Sequence, residues 1–230
     1  MKKNILLLSL VVLGIGTTLT FTGCSKDDTT GPVVTITGAT SIELSLNSGT
    51  WTDLGATATD DEDGTVIATS DASSTNPNTN AVGTYTITYL ATDAAGNVGS
   101  AIRTIRVKND AENFEGSYNV HDTVPGAVFT YTQTITADNT ENNHVHFNRF
   151  GDYANNTGIY AIKQGNGTLQ IPSQTAVDIG TGTGCNVSTH QFSSTSFTST
   201  SNGFVLVYID QITSSGCTAT TTGTATYTRQ

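Results

Sequence analysis

Hydrophobic and polar residues alternate along most of this chain, and no stretch carries a convincing helical period. Tyr85, Ile87, Tyr89 and Ala91 share one face while Thr84, Thr86 and Thr88 share the other, the pattern of a half-buried strand. Val34 and Ile36, and then Ile42, Leu44 and Leu46, repeat it. Further on, Arg103, Ile105 and Val107 fall on the better core face, opposite Ile102, Thr104 and Arg106, with Ile102 assigned to the sheet margin. Several short strands over residues 33–108 predict a β-sandwich of two packed sheets. After a polar bridge at 109–113 the alternation resumes, and strands are predicted at 116–120, 128–136, 144–150, 158–163, 168–171, 191–195, 204–209 and 219–228. Short turns between them predict sequential antiparallel neighbours, so residues 114–230 are expected to form an antiparallel β-barrel, with a second sandwich as the alternative. The fold class is all-β.

Composition supports this reading and narrows the partners. Charged residues make up only 12% of the chain, while Thr, Ser, Gly and Asn are abundant, as suits strands with hydroxyl-bearing outer faces and tight turns. The N-terminus differs from the rest. Lys2 and Lys3 precede an apolar run at 5–19, shorter than the roughly 20 residues of a stable membrane span and suited to an export leader. Removing residues 1–23 takes away two of the nine basic side chains and none of the 19 acidic ones, leaving a net charge of −12. Such a surface repels nucleic acid and anionic membranes, and no cluster of Lys and Arg offers a phosphate-binding stripe.

The segment Leu19-Thr20-Phe21-Thr22-Gly23-Cys24 resembles a bacterial lipobox, with Phe21 where Leu is usual. The resemblance implies a signal peptide at 1–23, lipidation of Cys24, and a short tether at 24–32 ending near Pro32. Each buried methylene of an acyl chain contributes about 0.8 kcal/mol to anchoring, and two or three chains hold far better than one. Ser25-Lys26-Asp27-Asp28 resembles the surface-export signal of Bacteroidetes lipoproteins, which implies an outer-membrane, lipid-anchored protein facing the cell exterior. Cys185 and Cys217 then remain. An oxidising compartment permits a disulfide between them, for which loop entropy gives about 3–4 kcal/mol.

Residues 54–64, ending in Thr59-Asp60-Asp61-Glu62-Asp63-Gly64, resemble a bacterial Ig-like domain of the domain-of-unknown-function 5011 type. Val82-Gly83-Thr84-Tyr85, Ala91-Thr92-Asp93-Ala94-Ala95-Gly96-Asn97 and Arg106-Val107 carry the same resemblance. It covers nearly all of residues 33–108 and implies an extracellular spacer or adhesion-type module beside another functional domain, without catalysis. The stretch from Phe114-Glu115-Gly116-Ser117-Tyr118 through Ile171-Pro172-Ser173-Gln174, with Ala225-Thr226-Tyr227, resembles the lipocalin-like C-terminal domains of Bacteroidetes lipoproteins. That resemblance implies a fold and no particular ligand.

Candidate chemistry is sparse. Asp60, Asp61, Glu62 and Asp63 form the densest acidic run, and Asp93 can approach them across the sheet end. Several oxygen ligands suit calcium, yet the spacing departs from the Asp-x-Asp-x-Asp-Gly loop, and a solvated turn is the alternative. His144 and His146 share a strand face, opposite Val145 and Phe147, and with His121 or His190 they offer imidazoles to zinc or copper. Whether the chain holds a metal stays open at this stage, and no cofactor is called for. No Gly-x-Ser-x-Gly elbow or paired carboxylates mark a hydrolase, although His with Asp122 or Asp152 is a conceivable pair. No catalytic residue is assigned.

Aromatics offer the better route to function, since Trp51, Tyr131, Phe150, Tyr153, Tyr160 and Tyr208 have flat faces for a sugar or apolar ligand. Most are expected in the core. Tyr153, in the polar turn Gly151-Asp152-Tyr153-Ala154, stands out, and Tyr153, Tyr160, His144 and His146 are taken as candidate ligand contacts. Asp28-Thr29-Thr30 and Asp122-Thr123-Val124 also resemble short O-glycosylation acceptors of Bacteroidetes. The expected partners are membrane lipid through the acyl anchor and a glycan or outer-membrane protein. The expected role is a non-enzymatic surface lipoprotein whose distal β domain binds a ligand; a structural accessory subunit of an outer-membrane complex is the second reading.

Overall fold

The computed structural model describes residues 27–74, 76–153, 158–176, 189–214 and 217–230. The expected lipidation of Cys24 and the Cys185–Cys217 bond fall on or depend on residues outside that set.

The first part of the chain folds as two facing sheets. β1 (Val33–Ile36), β3 (Ala56–Asp60) and β4 (Gly64–Val66) form one, in the order β1-β3-β4. β2 (Ser41–Ser45), β5 (Thr69–Ser70), β6 (Gly83–Thr92) and β7 (Val98–Lys108) form the other, in the order β2-β7-β6-β5. Only β2 and β7 run parallel, with Ser41 opposite Thr104 and Ser45 opposite Lys108. The alternation read from sequence sets the faces: Ile87, Tyr89 and Ile105 are buried, and Val34, Ile36, Ile42, Leu44 and Trp51 pack on them. Ile102, on the opposite face, is 56% exposed.

Arg103 is also in phase with that core and is 1% exposed. A guanidinium keeps its charge when buried, so every donor must be answered. Asp53 forms the ion pair, Ala39 O and Thr37 O accept from Nε and Nη2 at 3.1 and 2.5 Å, and the Trp51 and Tyr89 rings flank the charge. Tyr89 donates its hydroxyl to Asp53 at 2.6 Å. Burial, and then the Asp53 carboxylate, push that phenol up to about 12.

Residues 109–113, expected as a polar bridge, form with Phe114 a locked joint. Asn109 is buried, and its Nδ2 donates to Asp138 O, Glu141 O and His144 O at 2.8, 3.0 and 3.1 Å. Its Oδ1 accepts from the N–H groups of Ala111 and Asn143. Lys163 reaches Asp110 O at 2.7 Å, while Ala111 and Phe114 enter the second core.

Among the described residues, nine strands form one curled sheet beyond this joint. They are β8 (Gly116–Val124), β9 (Ala127–Ala137), β10 (His144–Phe147), β11 (Tyr160–Lys163), β12 (Leu169–Gln170), β13 (Gln174–Ala176), β14 (Thr189–Thr200), β15 (Gly203–Ser214) and β16 (Cys217–Arg229). Sequence neighbours pair except β12 with β13, and the first and last strands, β8 and β16, also pair, from Tyr118–Arg229 to Thr123–Thr224. The expected barrel topology therefore holds, with its seam between β12 and β13. Pro172 lies at the seam and lacks an N–H to donate. Side chains complete the pairing there: Gln174 accepts from Tyr160 N–H and donates to Tyr160 O at 3.1 and 2.7 Å. Ser194 Oγ accepts from Ile171 N–H at 2.8 Å.

Several strands run longer than expected, β8, β14 and β15 most of all, and two assignments change in kind. The strand expected at 144–150 ends at Phe147, because Gly151 and Asp152 adopt φ values of 66° and 65° and turn the chain out of the sheet. A short strand at Gln174–Ala176 was not expected, since three residues show no period. The interior is filled by aromatics, among them Phe204 stacked on Tyr227 at 4.4 Å and Phe150 edge-on to Tyr208 at 4.9 Å.

Replacing Asp53 with Ala leaves the Arg103 charge buried without its counter-ion, and urea unfolding should show a loss of about 3–5 kcal/mol. A loss below about 1 kcal/mol would mean that water reaches Arg103 and the pair contributes little.

Candidate functional site

The inward faces of β8 and β15 change character toward one end of the barrel. On β8 the buried positions run Tyr118, Val120, Asp122, and on β15 they run Phe204, Leu206, Tyr208, Asp210. A carboxylate in phase with a core stripe needs partners or solvent. Here the two acids lie at the mouth farthest from the Asn109 joint, because β8 leaves the joint at Gly116 and reaches the mouth at Val124.

A cavity of about 260 Å³ opens at this mouth. Val124, Phe129 and Ile212 give it an apolar rim, Tyr153 and Tyr208 give aromatic walls, and Asp152 and Asp210 give carboxylates. Asp122 is 1% exposed and accepts from the Tyr208 hydroxyl at 2.9 Å and from Tyr131 at 3.5 Å. Burial raises the Asp122 carboxyl above its usual range against those hydrogen bonds. Asp210 is bonded by Nδ1 of the buried His190 at 2.9 Å from both oxygens. Asp152 is paired with Arg149 at 2.5 Å, and the guanidinium lies 5.5 Å from the Tyr131 ring centre.

The phenols respond to the same surroundings. Burial first, and then the charges of Asp210, Asp122 and Asp152, push Tyr153 up to about 12. Tyr131, Tyr208 and Tyr227 are raised further, chiefly by burial. All four phenols are therefore neutral at ordinary pH. Gly223 makes room for one of them: a Cβ at that position would lie 2.3 Å from the Tyr208 ring.

Of the four candidate contacts read from sequence, the structure places only Tyr153 at this cavity. Tyr160, His144 and His146 come together elsewhere, on the outer face of β10 and β11. His144 stacks on Tyr160 with centroids 5.0 Å apart, and His146 is held by Asp138 at 2.5 Å. Burial alone would raise Asp138, but hydrogen bonds from His146 and Thr140 hold it well below the usual carboxylate range. His121 is exposed on the outside of β8, so the four histidines do not converge on one metal centre. Tyr131, Phe150 and Tyr208 are core, as expected for most aromatics. Asp210, and the pairing of His190 with it, were not anticipated, because that pairing depends on the β14–β15 register that sets Phe192 opposite Asp210. The available signal was the phase of Asp210 with Phe204, Leu206 and Tyr208.

Residues 34–107 match a family model described as an Ig-like domain of bacterial surface proteins, which falls on the two-sheet sandwich. Two solved structures are similar to the chain as a whole or in part. A lipoprotein from Bacteroides thetaiotaomicron matches at 16% identity and a TM-score of 0.30, over 86% of this chain and 100% of that one. A multidomain protein that includes a domain of unknown function 1735, from Bacteroides ovatus, matches at 15% identity and a TM-score of 0.22, over 54% of this chain and 60% of that one. No curated protein matches.

Two outcomes follow from the packing of the phenols. Gly223→Ala should cost about 1–3 kcal/mol by forcing the Tyr208 ring aside, measured by denaturant unfolding. A group whose folded pKa is raised contributes stability that is complete below its unfolded value, near 10 for tyrosine, and lost above it. Raising the pH from about 10 through 12 should therefore unfold the barrel as these phenols ionise, and tyrosinate assigned to Tyr131, Tyr153, Tyr208 or Tyr227 in an intact barrel would contradict the burial of these rings.

Proposed function

We propose that this protein is a non-enzymatic lipoprotein of the bacterial outer surface, anchored through Cys24, in which the Ig-like sandwich is a spacer and the barrel binds a glycan at its mouth. The observation that carries this reading is the cavity itself. Aromatic walls from Tyr153 and Tyr208 offer faces to the apolar side of a sugar ring, and Asp152 and Asp210 offer acceptors to hydroxyls. Its position supports the same reading, since the mouth is at the end of the barrel remote from the sandwich and hence from the tether. The match of residues 34–107 to a surface-protein module agrees with display outside the cell.

A second reading, in which the mouth seats a partner protein of the outer membrane, is favoured by the exposure of Val128 and Phe129 beside it, at 57% and 40%. Small-ligand binding separates the two.

Titration of the detergent-solubilised full chain with cell-surface and dietary oligosaccharides should give saturable binding. Phe129→Ala and Tyr153→Ala should each weaken it by at least about tenfold, equivalent to roughly 1.4 kcal/mol, while His144→Ala on the outer face should not. Turnover of an oligosaccharide would overturn the non-enzymatic reading. Co-purification with a membrane protein, without any oligosaccharide binding, would favour the second.

A further inference from the structure

Three carboxylates from separate parts of the chain meet at the tether end of the sandwich. Asp28 belongs to the segment before β1, Asp60 ends β3, and Asp93 follows β6, yet one oxygen from each lies within 4.8 Å of the others. Asp60 and Asp93 are 9% and 7% exposed. Three like charges this close repel, and no Lys or Arg side chain among the described residues forms an ion pair with any of them.

The hydrogen bonds divide the oxygens into used and unused. Asp60 Oδ1 accepts from the N–H groups of Glu62 and Asp63 at 3.0 and 3.1 Å. Asp93 accepts from Asn97 N–H and Nδ2 at 2.7 and 2.8 Å, and Asp28 Oδ1 accepts from Thr30 N–H at 2.9 Å. Asp60 Oδ2, in contrast, is buried and has no hydrogen-bond partner. A buried carboxylate oxygen left unanswered among further carboxylates is costly unless a cation answers it.

The backbone around the cluster is already closed tightly. Asn97 Nδ2 donates to Asp28 O at 3.1 Å. A Cβ on Gly99 would lie 1.7 Å from Pro32 O, and one on Gly31 would lie 2.9 Å from Val98 O. Segment 28–32 is thus seated on the start of β7, and Asp63 ties the neighbouring turn to it by accepting from Ala94 N–H at 2.6 Å.

We propose that Asp28, Asp60 and Asp93 bind a calcium ion that staples the tether to the Ig-like sandwich. All-oxygen ligands and a net charge of −3 suit a hard divalent cation, and calcium accepts the irregular geometry and added waters or carbonyls that such a site requires. Magnesium demands a near-ideal octahedron and sheds water reluctantly. The acidic run expected from sequence to approach Asp93 contributes Asp60 alone to the cluster, and the tether supplies the third ligand.

Calorimetric titration of the chelator-treated full chain with calcium chloride should reveal one site, with a Kd of roughly 10⁻⁴ to 10⁻³ M as for extracellular modules. Asp28→Asn and Asp60→Asn should each weaken binding at least about tenfold, and Asp61→Asn, outside the cluster, should not. Asp28 lies in the tether, so its variant keeps a folded sandwich as a reference should Asp60→Asn fail to fold. Calcium should also slow hydrogen exchange at residues 28–32 in the parent chain and leave it unchanged in Asp28→Asn. Absence of binding at about ten times the upper concentration, or equal binding by parent and Asp28→Asn, would overturn the proposal.

Discussion

The arrangement of the molecule depends on what a single buried amide, Asn109, holds together. Its NH₂ group gathers three carbonyls of the β9–β10 turn, and its carbonyl holds the N–H groups of Ala111 and Asn143. An aspartate could not donate these bonds and an alanine could neither donate nor accept them. The side chain thereby fixes where β7 ends, where Phe114 enters the second core and how the 138–143 turn sits against the sandwich. Asn47 extends the same contact by donating to Thr140 O at 2.8 Å. With the joint set in this way, the direction of β8 determines that the acidic mouth is at the end of the barrel remote from the sandwich.

Charge is handled differently in the two halves. In the sandwich, Arg103 is buried as a full charge and answered at once by Asp53, by carbonyls and by aromatic faces. In the barrel, the carboxylates buried among the described residues lie near its open end, where phenols, a histidine and an arginine share them. The first device specifies a structure, since a buried charge tolerates few alternative arrangements. The second leaves polar capacity beside a cavity.

Much of this was legible in the sequence, for a physical reason. A strand with one buried face must alternate, so Tyr85, Ile87, Tyr89 and Ala91, or Tyr118 and Val120, announce their orientation locally. The two-sheet sandwich and the sequential antiparallel barrel followed from that alone. What stayed hidden depends on contacts between distant segments or on a broken period. Register changes between Ser194 and Ser196 in β14, so the inward positions His190 and Phe192 fall out of phase with Phe197. Arg103 could be placed on the core face, but Asp53, its loop-borne partner, could not. Tyr153 was identifiable as an aromatic in a polar turn, whereas the company it keeps is assembled from β8, β9, β15 and β16.

The parallel pairing of β2 with β7 has a mechanical consequence. A pull applied between the residues before β1 and the barrel first loads β1 against β3, and once β1 gives way it draws β2 by its N-terminal end and β7 by its C-terminal end, where Lys108 passes into the joint. Parallel neighbours dragged in opposite directions share the load across every bond from Ser41–Thr104 to Ser45–Lys108 at once, whereas an antiparallel pair drawn from one end opens bond by bond. The β2–β7 pairing therefore resists tension applied along the axis that joins the two ends of the sandwich.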